Sequence, residues 1–498
     1  MNHLIISREY PPAPYLGGGI GTYVDHISRL LAERGETVHV IAQLCPGATR
    51  PREIRAGGRL IVHRVPIDRP LPVASEEARS HQAILDVLRD SVVPCQAFLW
   101  QVAVLAESLI EHDGIDVVEA QEYEAPLYFL MLRRALGLGP QRLVPLIVHL
   151  HSPTEFVYTE NQCQARPDYV PLTRLEAYTI QAADALMCPS RFLARSVEFH
   201  YGLGRGGVEV IPYPLGTASV SRRTARTWRD GSISYVGRLE PRKGVSEWVE
   251  AATAVAAEDP SAHFSFVGAD TTVGDQSLRG LLRARIPPAM QPRFAFSEIV
   301  PRPRLTAHRA GARIAVVPSR WDNFPYTCIE AMASGLPVLA SPNGGMAEMI
   351  EDGRTGWIAA GSDPGSLAAA LRRALLSSPN ILAEMGAAAA ESIRALCGNE
   401  AIVARHLAFK REVVSRGCRP LAAIPASPVP LPDPGAARRE PATMRGMQTD
   451  TMTPMEILRA PRAQQAAMIR RALANPAYVA RWLAWHTRRL TVNRIGRP

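Results

Sequence analysis

Residues 322–338 read DNFPYTCIEAMASGLPV, and they follow directly on the apolar run Ile314–Val317. A short β-branched run reads as a buried strand, and what comes after it reads as a loop turning into a helix. Asp322 and Glu330 stand eight residues apart. They converge if the first lies in the loop and the second about one turn into the helix. The start of such a helix offers N–H groups and the positive end of a dipole, which suit a diphosphate. A carboxylate on either side then suits hydroxyl-rich groups.

Outward from this stretch the same strand-then-helix rhythm runs almost to residue 415. Leu4–Ser7, Val38–Ala42, Val117–Glu119, Leu146–Leu150 and Ala185–Cys188 form one series of expected strands. Between the first two, Ile20, Val24, Ile27, Leu30 and Leu31 give a helix its apolar face. Gly216–Asp230, rich in Ser, Arg and Thr, reads as a connecting loop. Ile233–Val236, Phe264–Val267, Ile314–Val317 and Pro337–Ala340 make a second series. Strands alternating with helices imply parallel sheets covered on both faces. Two series imply two Rossmann-like, doubly wound domains, with a ligand cleft at the strand C-terminal ends. The expected divisions are 1–218 and 219–416, the last helix packing back on the first domain. A proline-rich linker (417–454) and a basic amphipathic helical tail (455–498) follow.

Composition narrows the class. The 498 residues are 47% hydrophobic and 21% charged, an ordinary globular balance too long for one core. Seven scattered cysteines without metal-ligand spacing argue against a disulfide framework or zinc module. No apolar run reaches membrane-spanning length, and the chain opens into a strand rather than a signal peptide. A cytoplasmic placement is expected. The formal charge of +9 is matched by Arg438–Pro498 alone, which holds twelve arginines, no lysine and three acids. The body is therefore not a nucleic-acid surface. The tail has two open readings: docking on an anionic membrane, as a basic helix with Trp482 and Trp485 would, or packing on protein.

A second chemical stretch, Val236-Gly237-Arg238-Leu-Glu-Pro-Arg-Lys243-Gly244, again follows a strand. Cations on such a loop would stabilise the charge that develops on a departing diphosphate. Taken alone, each stretch also reads as a solvated surface loop.

Together with Gly17-Gly-Gly-Ile-Gly21, and with Gly344-Gly-Met-Ala-Glu348 followed by Asp352-Gly-Arg-Thr-Gly356, these stretches resemble the retaining glycosyltransferases of family 4. Those enzymes have the GT-B fold, and the resemblance covers about residues 1–415. It implies transfer of a sugar from a nucleotide diphosphate donor to a saccharide or lipid-linked acceptor, in cell-envelope or exopolysaccharide synthesis, with no cofactor and no metal. It implies that Arg238 and Lys243 bind the donor pyrophosphate, Glu330 the ribose and Asp322 the donor sugar, where the family usually has Glu. Pro325 stands where glycine is common and has no N–H, which leaves Tyr326 and Thr327 as phosphate donors. Gly18 and Gly19 would let the first loop approach the phosphates. His151 matches the family histidine near the reacting carbon, and its neighbour His149 is expected to face away from it.

Other classes fit less well. A dinucleotide-dependent oxidoreductase needs its glycines immediately after the first strand and an acid ending the second. Here nine residues intervene, and the second strand ends Ala42-Gln43. A related epimerase or phosphorylase, or a sugar-nucleotide-binding protein with little turnover, are the alternatives that share the fold.

Overall fold

The computed structural model describes residues 1–419 apart from 14–17, 49, 72–74 and 94. The described residues form one compact unit. The expected tail, and all of the linker beyond Arg419, lie outside the described residues.

Two open sheets organise this unit. The first holds β1 (Asn2–Ile6), β2 (Thr37–Gln43), β3 (Arg52–Arg55), β4 (Leu60–Val65), β5 (Val117–Gln121), β6 (Leu146–His149), β7 (Ala185–Cys188) and β8 (Val208–Val210). Its order is β3-β4-β2-β1-β5-β6-β7-β8. All pairs are parallel except the edge pair β3–β4. The second sheet is built from β9 (Ser232–Val236), β10 (Phe264–Val267), β13 (Phe294–Ser297), β14 (Ala312–Val317), β15 (Val338–Ala340) and β16 (Gly356–Ile358). A small hairpin, β11 (Thr272–Val273) and β12 (Gln276–Ser277), interrupts the series. The six strands run in parallel in the order β13-β10-β9-β14-β15-β16. Both faces of the central strands are covered. Hence Leu4, Ile5 and Ile6, or Val338, Leu339 and Ala340, are buried in unbroken runs rather than alternating.

Every strand anticipated from periodicity is present. Short or polar ones were not legible: β3 alternates exposed Arg52 and Ile54 at the sheet edge, and β8 and β16 have three residues each. The stretch 216–230, expected as a loop, contains the helix Ala225–Asp230. Thr224 caps it by accepting the Thr227 N–H. Local capping chemistry outweighed the polar composition there. No helix among the described residues is long and apolar enough to cross a membrane.

The last helix, Asn399–Arg416, returns to the first sheet. Ile402 and Val413 pack with Val117, Ile147 and Met187. Beneath them Lys410 Nζ lies 2.6 Å from Glu119 Oε2, both side chains almost wholly buried. The Tyr23 hydroxyl donates to the other oxygen of Glu119 at 2.6 Å.

Candidate active site

The C-terminal ends of β1, β6, β9 and β14 open on one cavity of about 360 Å³. Its walls bring together Gly18, Gly19, His151, Arg238, Lys243, Asp322, Tyr326 and Thr327, eight of the nine residues singled out from sequence. Glu330 is the exception. It lines a second cavity, of about 420 Å³, with Thr22 and His26 of helix Gly19–Glu33, the segment around Ala218, and Arg309. The side chains His26 and Tyr326 meet edge to face at 5.6 Å, one belonging to each cavity.

After β9 the chain must turn sharply. A side chain on Gly268 would place its Cβ 1.8 Å from the Gly237 carbonyl oxygen, so the exit of β10 can pass only as glycine. Gly244 closes the turn at φ +65°, a left-handed conformation that favours glycine. Between these glycines the cations take different positions. The Arg238 side chain is about half exposed and stands 3.9 Å from Glu240. Lys243 is mostly buried and ion-paired with Asp322. Arg242, not anticipated, is the most deeply buried of the three. It donates to Glu240 at 2.7 Å and to the Trp321 carbonyl at 3.2 Å, and lies 3.5 Å from Asp322.

Burial pulls the Lys243 ammonium below its ordinary pKa, against the attraction of Asp322. For Asp322 burial acts upward, but Lys243 and Arg242 outweigh it and hold the carboxyl below the usual range. Asp322 is therefore a carboxylate at neutral pH. The C-terminal wall carries three cations against two carboxylates, Glu240 and Asp322, so it presents net positive charge.

Asp322 is held from behind by the Gly344 motif. Gly345 N–H donates to the Asp322 carbonyl at 3.1 Å, and a Cβ on Gly344 would sit 1.9 Å from that oxygen. Asn323, unnoticed in the sequence although inside the decisive stretch, donates to the His151 carbonyl at 2.8 Å and accepts from Ser190. It thus fastens the two halves beside the cavity.

On the opposite wall the glycine loop packs against an acid. Gly18 N–H donates to Glu9 at 3.1 Å, and a Cβ on Gly21 would lie 2.3 Å from the Glu9 carbonyl oxygen. Within the molecule itself, then, Glu9 is the near neighbour that demands small residues here. Gly17 is outside the described residues.

His151 lies just beyond β6. Its N–H donates to the Glu122 carboxylate at 2.8 Å, and its Nδ1 shares a 2.5 Å hydrogen bond with Tyr213 Oη. Burial, reinforced by His149, pushes its pKa well down, so the ring is neutral. The expectation for His149 is corrected. Residues two apart on a strand share a face, and the two rings stack with centroids 4.3 Å apart. His149 is one layer deeper, 3.2 Å from Glu119, which ties it to the Lys410 pair.

Comparison with known proteins agrees with this geometry. Residues 17–217 match the family model described as Glycosyltransferase Family 4, and residues 230–377 that described as Glycosyl transferases group 1. The chain is 28% identical to D-inositol 3-phosphate glycosyltransferase 2 of Catenulispora acidiphila, over 77% of this chain and 88% of that protein. It is 27% identical to a glycogen synthase of Mycobacterium tuberculosis, over 75% of this chain and 86% of the other. Among solved structures, sucrose-phosphate synthase from Thermosynechococcus elongatus superposes with a TM-score of 0.64 at 20% identity, covering 84% of this chain and all of that one. Two Rossmann-like sheets flanking a cationic cleft define a glycosyltransferase of the GT-B fold. The chain belongs to glycosyltransferase family 4, whose members move a sugar from a nucleotide-sugar donor.

Proposed function

We propose that the chain transfers its sugar with retention of configuration and without a metal ion, to a saccharide or lipid-linked acceptor in cell-envelope or exopolysaccharide synthesis. The observation that carries this reading is the cleft charge. Arg238, Arg242 and Lys243 stand beside the first turn of helix Tyr326–Ala333, where a departing diphosphate would gain negative charge. Arg238 and Lys243 hold the pyrophosphate, helped by the first turn at Tyr326 and Thr327. Asp322 binds the donor sugar and Glu330 the ribose in the adjoining cavity. His151, neutral, donates or accepts a hydrogen bond near the reacting carbon.

In the step itself the acceptor oxygen bonds to the anomeric carbon on the face from which the carbon–phosphate-oxygen bond breaks. The acceptor proton passes to the leaving phosphate oxygen. The two acids beside the cations are already neutralised, Asp322 by Lys243 and Glu240 by Arg242, which leaves them poor ligands for a divalent ion. The acceptor class draws support from relatives named for inositol phosphate and glycogen.

Product made from an α-linked donor in excess EDTA is expected to carry an α-linkage by NMR, at a rate close to that without chelator. A β-linked product, or activity abolished by EDTA and restored by Mg²⁺ or Mn²⁺, would assign a different mechanism.

A membrane role is carried by composition alone. From Pro476 onward there are five arginines and no acid, beside Trp482, Leu483 and Trp485. Each cation near an anionic surface contributes ~1 kcal/mol. The full chain is expected to co-sediment with phosphatidylserine vesicles in low salt, and a chain ending at Arg416 is not. Equal binding by both would place the tail on protein instead.

A further inference from the structure

Glu330 does not stand alone in its cavity. Its Oε2 forms an ion pair with Nη2 of Arg309, near the end of helix Arg302–Ala310. Oε1 has no hydrogen-bond partner among the described residues. The two side chains are 20% and 11% exposed, and both line the cavity of about 420 Å³. Arg309 is fixed in turn. Its carbonyl accepts from Arg223 at 2.8 Å, and the same guanidinium donates to the carbonyl of Ser334 at 2.7 Å. Ser334 is the C-cap of the helix that carries Glu330. Arg223 thereby ties together the ends of the two helices whose side chains form the pair.

We propose that Arg309 is a positioning residue for the ribose. It occupies one oxygen of Glu330 and fixes the carboxylate so that the other is presented to the ribose hydroxyls. A free glutamate would have to be ordered during binding, and an ordered one removes that entropic cost from the binding step. The proposal rests on the assignment of Glu330 to the ribose. Arg309 also offsets the negative charge of Glu330, which would otherwise repel a diphosphate, but that effect acts alike on every nucleotide.

The ratio of dissociation constants for a 2′-deoxy and a ribonucleoside diphosphate of the same base isolates the positioning effect, because general charge effects cancel in it. Calorimetry with UDP, GDP and ADP first selects the base. In the parent protein the ratio is expected to be about tenfold or more, the size of one hydrogen bond to a charged group. Glu330→Gln should bring it near one. Arg309→Gln should bring it within about threefold of that value, and the double variant should add nothing further. Arg309→Lys, which keeps the charge without the planar fork, should fall between and serves if Arg309→Gln does not fold.

Failure of the two parts is distinguishable. A parent ratio near one, or one that Glu330→Gln leaves unchanged, overturns the ribose assignment. A ratio that depends on Glu330 but survives in the Arg309 variants overturns the positioning role alone. Equal weakening of both nucleotides by Arg309→Gln, with the ratio kept, also overturns it and marks Arg309 as a direct or purely electrostatic contact.

Discussion

Arg238→Ala and Lys243→Ala are each expected to lower the rate of sugar transfer by ~10²–10³, the usual cost of removing one fixed stabiliser of transition-state charge. The two variants should differ in their side effects. Arg238 is half exposed and only loosely paired, so its loss should leave the fold intact and report on charge stabilisation cleanly. Lys243 neutralises buried Asp322, so its removal should also raise the carboxyl pKa and loosen the loop. Arg238→Lys is expected to recover only part of the rate, since an ammonium cannot reproduce the guanidinium fork. Single-turnover rates with the preferred donor, measured on variants whose thermal melts are recorded alongside, decide this. Transfer at close to the parent rate by both alanine variants would remove the diphosphate clamp.

The largest expected effect on stability lies away from the cavity, at Lys410. Its partner Glu119 also accepts from Tyr23 and lies 3.2 Å from His149. Removing one member of a buried pair leaves the other charge uncompensated, which typically costs ~3–5 kcal/mol. Lys410→Met should cost about that much, and Glu119→Gln/Lys410→Met should recover a large part of it.

The pH dependence should change sign between parent and variant. In the parent, burial disfavours the Glu119 charge, but Lys410 and then His149 outweigh it and hold its pKa well below the ordinary value. The pair's stabilisation is therefore complete above the unfolded pKa of about 4.3 and is lost only as pH falls through the lower folded value. Without Lys410, burial raises the folded pKa instead. The deficit of Lys410→Met should then be greatest near neutral pH and shrink on acidification. Denaturant melts from pH 5 to 8 test this, and a deficit independent of pH would show that the pair is not charged.

How much of this was visible in the chain depends on how far apart the interacting groups are. Strand β9 with its Arg238–Lys243 loop, and β14 with the Asp322 loop and its helix, are local units. Their apolar runs, glycines and helix start lie within about ten residues of one another, so periodicity and spacing expose them. The glycine loop, the cations, Asp322 and the first turn at Tyr326 could be named for the same reason, because each sits where a strand ends.

The remainder needed the folded molecule. Arg242 and Lys243 are adjacent and chemically alike in the chain, yet only packing decides which is buried against Trp321 and Glu240 and which meets Asp322 alone. The pairing of Glu119 with Lys410 joins residues 291 positions apart, and that of Arg309 with Glu330 joins two different helices. The division of the cleft into two cavities, with Glu330 apart from Asp322, depends on where helix Gly19–Glu33 lays His26 against Tyr326. Local backbone preference acts over a few residues and leaves its mark as a pattern in the chain. Charge compensation in a low-dielectric interior acts between whichever groups the fold brings together, and no spacing in the sequence encodes that meeting.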